Sequence, residues 1–427
     1  MRHLWDSGWT PINIVNLKKY LLEYDKVDDA MLLMQGFSEG FRLQYTGSRV
    51  SVDAKNLISA EVHKTETLIK LRKEVELGRM LGPFKNKPIS TLRISPIGLV
   101  EKPDNGGWRL ITHLSFPSGN SVNDFIDEEF CKVKYSSFDN VVEMISSLGK
   151  GAKIAKIDIR QAFRLLKINK ADFDLLGIKF NDEYYIDKCL PMGCAISCSL
   201  FEKFATFLQW VVKSKSGLDT LDHYLDDFIF AGAASSNNCK ILMDTFKEVS
   251  QELGVPLAEN KTVGPTTAMT FLGLYIDTVL MLVKIPESKL IRLKEGIHYI
   301  LHSKKVKIKE LESLAGLMAF CARGLPSARA FTRRFYDAIS SVKFKKPYYY
   351  VRMSQELKAD ALVWQEFLEN FNGVCYLPDK IWISNDTLEL YNYTLIAQAM
   401  LLLVVVHTFQ VIGRNLSGRI NGKTRST

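Results

Sequence analysis

Apolar residues recur along this chain with two different periods, and the switches between them outline its elements. Residues 11–40 carry a short helical pattern, Leu17, Leu21 and Leu22 followed by Met31, Leu32 and Met34. Ala60 to Leu81 reads as one amphipathic helix, since Leu68, Leu71, Val75 and Leu81 keep helical spacing and Gly82-Pro83 is a breaker that should end it. Ser95–Glu101 and Trp108–Leu114 are strand-like around the turn chemistry of Asp104-Asn105-Gly106-Gly107, which predicts a hairpin. Asn140 to Leu148 predicts a helix closed by Gly149, and Lys153–Ile159 alternates as a strand does. Ser199 to Lys213 puts Phe201, Phe204, Phe207, Leu208 and Val211 on one helical face. His223–Gly232 predicts a second hairpin and Thr270–Thr278 a third strand pair, and after Pro286 the pattern is helical to about Ile339. Helices mixed with antiparallel hairpins predict an α+β fold rather than a doubly wound parallel sheet.

A chain of 427 residues exceeds one small core, so two or three domains are expected. The net charge of +9 is local: Lys284 to Lys346 holds 15 Lys and Arg against 5 Asp and Glu, and the rest is near neutral. Such a segment suits a polyanionic partner, or it is simply a solvated helical face. Seven scattered cysteines fit reduced, buried thiols, and Cys189, Cys194 and Cys198 lack the fourth ligand of a zinc set. Met1 to Thr10 has no apolar signal region, so the expectation is an intracellular protein of cytoplasm or nucleus, not a secreted one. Leu390 to Gly413 carries no charged residue and is followed by Arg414, Arg419, Lys423 and Arg425, a length and flank compatible with a bilayer span.

The sharpest chemical feature is Tyr224-Leu225-Asp226-Asp227, set before Phe228, Ile229 and Phe230. Two adjacent carboxylates in an apolar hairpin repel one another, by about 4 kcal/mol at ~4 Å and an effective dielectric of ~20. A proton or a divalent cation relieves that repulsion, whereas a solvent-facing Asp-Asp turn would rarely sit between such apolar neighbours. Asp158, at the end of its strand, is weak evidence by itself because helix caps look the same. Paired in space with Asp226 and Asp227, it could hold two Mg²⁺ about 3.5–4 Å apart for in-line phosphoryl displacement.

In that order, Asp158-Ile159-Arg160-Gln161-Ala162-Phe163, Leu190-Pro191-Met192-Gly193, Tyr224-Leu225-Asp226-Asp227 and Phe271-Leu272-Gly273 resemble the motifs of reverse transcriptases, over about residues 80–340. Gly82-Pro83-Phe84, Ser95-Pro96-Ile97-Gly98-Leu99-Val100, Ser121-Val122-Asn123-Asp124 and Pro191-Met192-Gly193-Cys194 resemble more narrowly the retrotransposon enzymes of the DIRS type. The resemblance implies a right-hand polymerase fold of fingers, palm and helical thumb, acting as an RNA-directed DNA polymerase. It implies catalysis by Asp158, Asp226 and Asp227, with Asp158, Ile159, Asp226 and Asp227 around two Mg²⁺ (Mn²⁺ as substitute). Incoming dNTP would meet Lys102, Arg109, Phe163, Met192, Gly193 and Lys261, with Phe163 excluding a ribose 2′-hydroxyl. Many relatives carry Gln at the position of Met192. Phe271, Leu272 and Gly273 would form the primer grip, and Lys304, Lys305, Lys307, Arg333 and Arg334 would track the backbone of an RNA or DNA template with its primer.

The expected organisation is an N-terminal helical extension (1–85), fingers and palm (86–278), thumb (279–345), and a connection with an incomplete ribonuclease-H-like start (346–394). Leu362–Phe371 and Lys380–Tyr391 carry that last likeness, but Asn392-Tyr393-Thr394 stands where a metal-binding Asp should follow, so ribonuclease H activity is not expected. The tail, 395–427, departs from the family. A membrane anchor through 395–413 and a packed helix are weaker readings of it than translated sequence of a truncated or frame-shifted element. The rival function is a catalytically silent remnant that only binds nucleic acid.

Overall fold

The structure is a computed structural model that describes residues 8–102, 107–342, 348–370 and 373–377. Residues to Cys375 form one compact unit, and a second begins at Tyr376. Lys380–Tyr391 and the apolar tail lie outside the described residues. Among the described residues no helix is long and apolar enough to cross a membrane.

At the centre lies a four-stranded antiparallel sheet in the order Val263–Thr266, Lys153–Asp158, Asp227–Gly232, Leu221–Tyr224. Two long helices, Ser197–Ser216 and Asn238–Leu253, pack against it. Phe228 and Phe230 of the central strand meet Phe246 with ring centroids 4.5 and 5.4 Å apart. Both helices end where a glycine, Gly217 or Gly254, takes the left-handed conformation that releases the chain from helix without a Cβ clash. The N-terminal helices Ile14–Leu21 and Val27–Glu39 join the same core, with Phe37 4.9 Å from Phe204 between ring centroids.

One expected helix is in fact three elements. Residues 60–81 divide into helices Ile58–Val62 and Lys64–Glu76 and a strand, Met80–Phe84, that pairs with Glu183–Asp187. Leu81 is buried as a strand residue, and Gly82-Pro83 lies within the strand at its register shift rather than ending a helix. The break is at Gly78, whose φ of +71° suits glycine. A short apolar run does not tell helix from strand, and here sheet pairing decided.

Ile97–Glu101 and Trp108–Thr112 form the predicted hairpin. Ala268–Phe271 and Leu274–Asp277 form another, joined to the central sheet where Lys156 Nζ donates to Thr270 O (2.8 Å) and Thr278 Oγ1 to Ala152 O (2.7 Å). Glu287–His302, Ile308–Cys321 and Arg333–Ser340 make the basic helical layer, with Lys305–Lys307 interrupting it as a short strand paired to Tyr350–Arg352. Leu362–Phe371, read as a ribonuclease-H-like start, falls mostly in the helix Gln355–Asn370. That helix packs on Glu287–His302 and buries Trp364 completely, so within the described residues it belongs with the layer before it.

Candidate active site

The second hairpin turns through Leu225 and Asp226 between the paired residues Tyr224 and Asp227. Leu225 has φ +55°, a conformation costly for a leucine, and its partly buried side chain packs on the main core. Asp227 heads the central strand and is the direct cross-strand partner of Asp158. The Ile159 N–H donates to Asp226 O (3.0 Å), locking the tip onto the end of the neighbouring strand. Residues far apart in sequence therefore meet at one strand edge. Ile159 itself is buried, so only its backbone carbonyl could reach a ligand.

Burial, and then the charge of Asp158, raise the Asp226 carboxyl above its ordinary range, while Lys261 and Arg109 pull it back. Asp227 is pushed up to about 6 by burial first and by Asp226 and Asp158 next. Lys261 Nζ donates to Asp158 Oδ2 at 2.7 Å, and this bond leads the rise of the lysine's own pKa. An ammonium thus sits where the acidic cluster calls for positive charge. These features fit a divalent cation: crowded carboxylates held off water, with a lysine standing in as counter-charge. Among the described residues no group of three His, Cys, Asp or Glu side chains is gathered closely enough to hold an ion unaided. Mg²⁺ commonly completes its octahedron from water and substrate phosphate, so an open carboxylate edge is compatible with it.

The remaining expected contacts divide. Lys102 and Arg109 are exposed, and the register that pairs Val100 with Arg109 puts them on the same face of the first hairpin. Trp108, the chain neighbour of Arg109, faces the other way and meets His63 with ring centroids 4.1 Å apart. It braces the hairpin from behind. Phe163 is half-buried and meets Phe201 edge-on at 5.6 Å. Met192 and Gly193 are exposed, and Gly193, at φ +94°, has no room for a Cβ because Thr112 O would lie 2.8 Å from it. Phe271 is buried, leaving the turn Leu272-Gly273 as the accessible part of the third hairpin. Lys304, Lys305 and Lys307 are exposed. Arg334 is exposed as well, and its guanidinium bonds the buried carboxylate of Asp360. Arg333 lies 3.8 Å from Asp337.

Sequence reading missed a buried charge cluster behind the Asp158 loop. Arg164 bonds Asp187 (2.6 Å) and Glu74 (3.0 Å), and Arg79 bonds Gln161, whose φ is +56°. It also gave no role to Asn123, although it had singled out the stretch containing it. Nothing in single-residue chemistry marks these positions, because their partners are far away in sequence.

Comparison with known proteins agrees with this geometry. Residues 100–276 match the family described as "Reverse transcriptase (RNA-dependent DNA polymerase)". Protein P of Duck hepatitis B virus (isolate Shanghai/DHBVQCA34) is 32% identical over 155 residues, 36% of this chain and 18% of that protein. Protein P of Heron hepatitis B virus is 28% identical over 172 residues, 40% of this chain and 20% of that protein. The chain thus spans about a fifth of the length of these curated relatives. The foamy viral protease-reverse transcriptase solved with dsDNA shares the fold at a TM-score of 0.54 and 18% identity, over 86% of this chain and 73% of that one. The same viral protein solved with an RNA/DNA hybrid gives 0.52 at 18% identity, over 84% and 46%. Residues 100–276 thus resemble reverse transcriptases in sequence, and most of the chain shares the right-hand polymerase fold of the foamy viral enzyme.

Proposed function

We propose that this chain is an RNA-directed DNA polymerase that transfers nucleotides from dNTP to a primer 3′-hydroxyl on an RNA or DNA template. The observation that carries the reading is the cross-strand pairing of Asp158 with Asp227 beside Asp226, in a segment that matches reverse transcriptases. Two bound Mg²⁺ would supply the acidity of the attacking hydroxyl and the clamp on the triphosphate. The protein's own part is positional. Asp158, Asp226 and Asp227 hold the ions, and Arg109 and Lys102 offer cations on the hairpin face they share. Phe163, backed by Phe201, limits space beside the sugar. Leu272-Gly273 meets the primer, and Lys304, Lys305 and Lys307 meet backbone phosphates.

We read the chain further as the product of a retrotransposon of the DIRS type, on the narrower motifs at residues 82–84, 95–100, 121–124 and 191–194. An intracellular setting in cytoplasm or nucleus accords with seven free cysteines. The domain limits at 85, 278 and 394 stand as part of the same proposal, and the thumb limit at 345 is moved past the helix Gln355–Asn370 that packs on Glu287–His302.

Primer extension on an RNA template with Mg²⁺ tests the activity. Wild-type protein is expected to incorporate dNTP, and Asp226→Asn to lose at least about 100-fold in rate. No incorporation by wild type, or equal incorporation by the variant, defeats the reading. Template binding without synthesis would instead favour the silent remnant.

A further inference from the structure

We propose that Asn123 is a positioning residue that fixes the nucleotide-facing turn Met192-Gly193 against the base of the finger hairpin. The inference rests on the polymerase reading above and goes beyond it, since neither the motifs nor the family match gives Asn123 a task.

Asn123 uses both ends of its amide. Nδ2 donates to Gly193 O (2.8 Å) and to Ser115 Oγ (2.8 Å), while Oδ1 accepts from the Ala195 N–H (2.9 Å). Its own backbone is tied down as well, its N–H donating to Leu114 O (3.0 Å) and its carbonyl accepting from the Ile126 N–H (3.3 Å). One side chain therefore spans two segments remote in sequence: the loop leaving the hairpin strand Trp108–Thr112, and the turn that follows Pro191. The amide orientation is set by these partners, because a carbonyl oxygen needs a donor and a backbone N–H an acceptor.

The turn needs such a brace. Gly193 is exposed at φ +94° with Thr112 O 2.8 Å from where a Cβ would stand, and Met192 beside it is 46% exposed. Neither packs into the core, so hydrogen bonds rather than burial decide where this backbone lies. Asn123 grips it from the carbonyl of Gly193 and from the N–H of Ala195, two residues on. The strand behind it also carries Arg109, whose charge acts on Asp226. A shift of the turn would therefore alter how the hairpin that carries Arg109 stands to the carboxylates without touching either.

Asn123→Asp separates this role from a general one. It is nearly the same size and keeps the acceptor for Ala195, but it replaces the donor to Gly193 O with a repelling oxygen. Asn123→Ala removes all three side-chain bonds. With correct dNTP on an RNA template, both variants are expected to raise KM for dNTP about tenfold, with kcat within about threefold of wild type. Amide exchange at residues 193–195 is expected to speed up in both, while the melting temperature stays within a few degrees. Unchanged KM and unchanged exchange would overturn the inference while leaving the polymerase reading intact. A loss confined to kcat, or one that merely follows a large fall in melting temperature, would overturn it as well. Wild-type protein that fails to extend a primer would sink the parent reading, and this inference with it.

Discussion

At the scale of single residues, the site is a contest over who neutralises three carboxylates. Lys261 holds Asp158 at 2.7 Å yet keeps 58% of its side chain exposed, so it can leave when a better cation arrives. Lys261→Met should therefore tighten binding of Mn²⁺ to the nucleotide-free protein about three- to tenfold, measured by electron paramagnetic resonance, because the ion no longer displaces an ammonium. Weaker or unchanged binding would show that the lysine does not compete. Asp227 gives a pH signature. Its pKa in the folded protein, about 6, lies above the ordinary 3.8, so the folded state holds this proton more tightly than the unfolded one. Stability from this group is present at low pH and is lost as pH rises from about 4 to about 6. In chelator, Asp227→Asn should gain on wild type across that window, by on the order of 1 kcal/mol, and then plateau. Mg²⁺ should shrink the gap. Melting curves at several pH values check both statements, and a gap that narrows with rising pH would contradict them.

At the scale of elements, hydrogen bonds between strands do what burial cannot. The third hairpin is tied to the central sheet by Lys156 and Thr278, so the accessible turn Leu272-Gly273 is referred to the same strand that ends in Asp158. In the helical layer the anchor is apolar. Trp364 is fully buried, on the helix Gln355–Asn370 that packs on Glu287–His302. Trp364→Ala should cost about 3–5 kcal/mol through the cavity it leaves, read by urea unfolding. A loss below about 1 kcal/mol would mean that this helix is not integral to the layer. Several of these elements are legible in sequence because their periodicity is long and clean, as in Ser197–Ser216. The strand Met80–Phe84 is not, since its five residues carry no period of their own and acquire strand identity from Glu183–Asp187.

At the scale of the molecule, the positive charge is concentrated in the helical layer, as the sequence distribution implies. Lys305→Ala combined with Lys307→Ala should weaken template–primer binding and flatten its salt dependence by about 0.9 in the log–log slope for each phosphate no longer neutralised. Binding measured by fluorescence anisotropy from low to moderate salt decides this, and an unchanged slope would remove these lysines from the interface. Arg334 bonds Asp360 while keeping 57% of its side chain exposed, so its replacement should be felt in stability as well as in that slope.

The sequence alone determined the order of the motifs, the two hairpins that carry Arg109 and Asp226, and the local excess of positive charge. These depend on neighbours in the chain, and periodicity and composition record neighbours faithfully. Only tertiary structure decided that Asp158 faces Asp227, that Lys261 occupies the carboxylates, that Trp108 turns away from Arg109, and that Asn123 grips Gly193. Each of those facts joins residues brought together by sheet register and loop closure. A one-residue slip in the pairing of the two central strands would undo the first of them while leaving the composition of every motif unchanged.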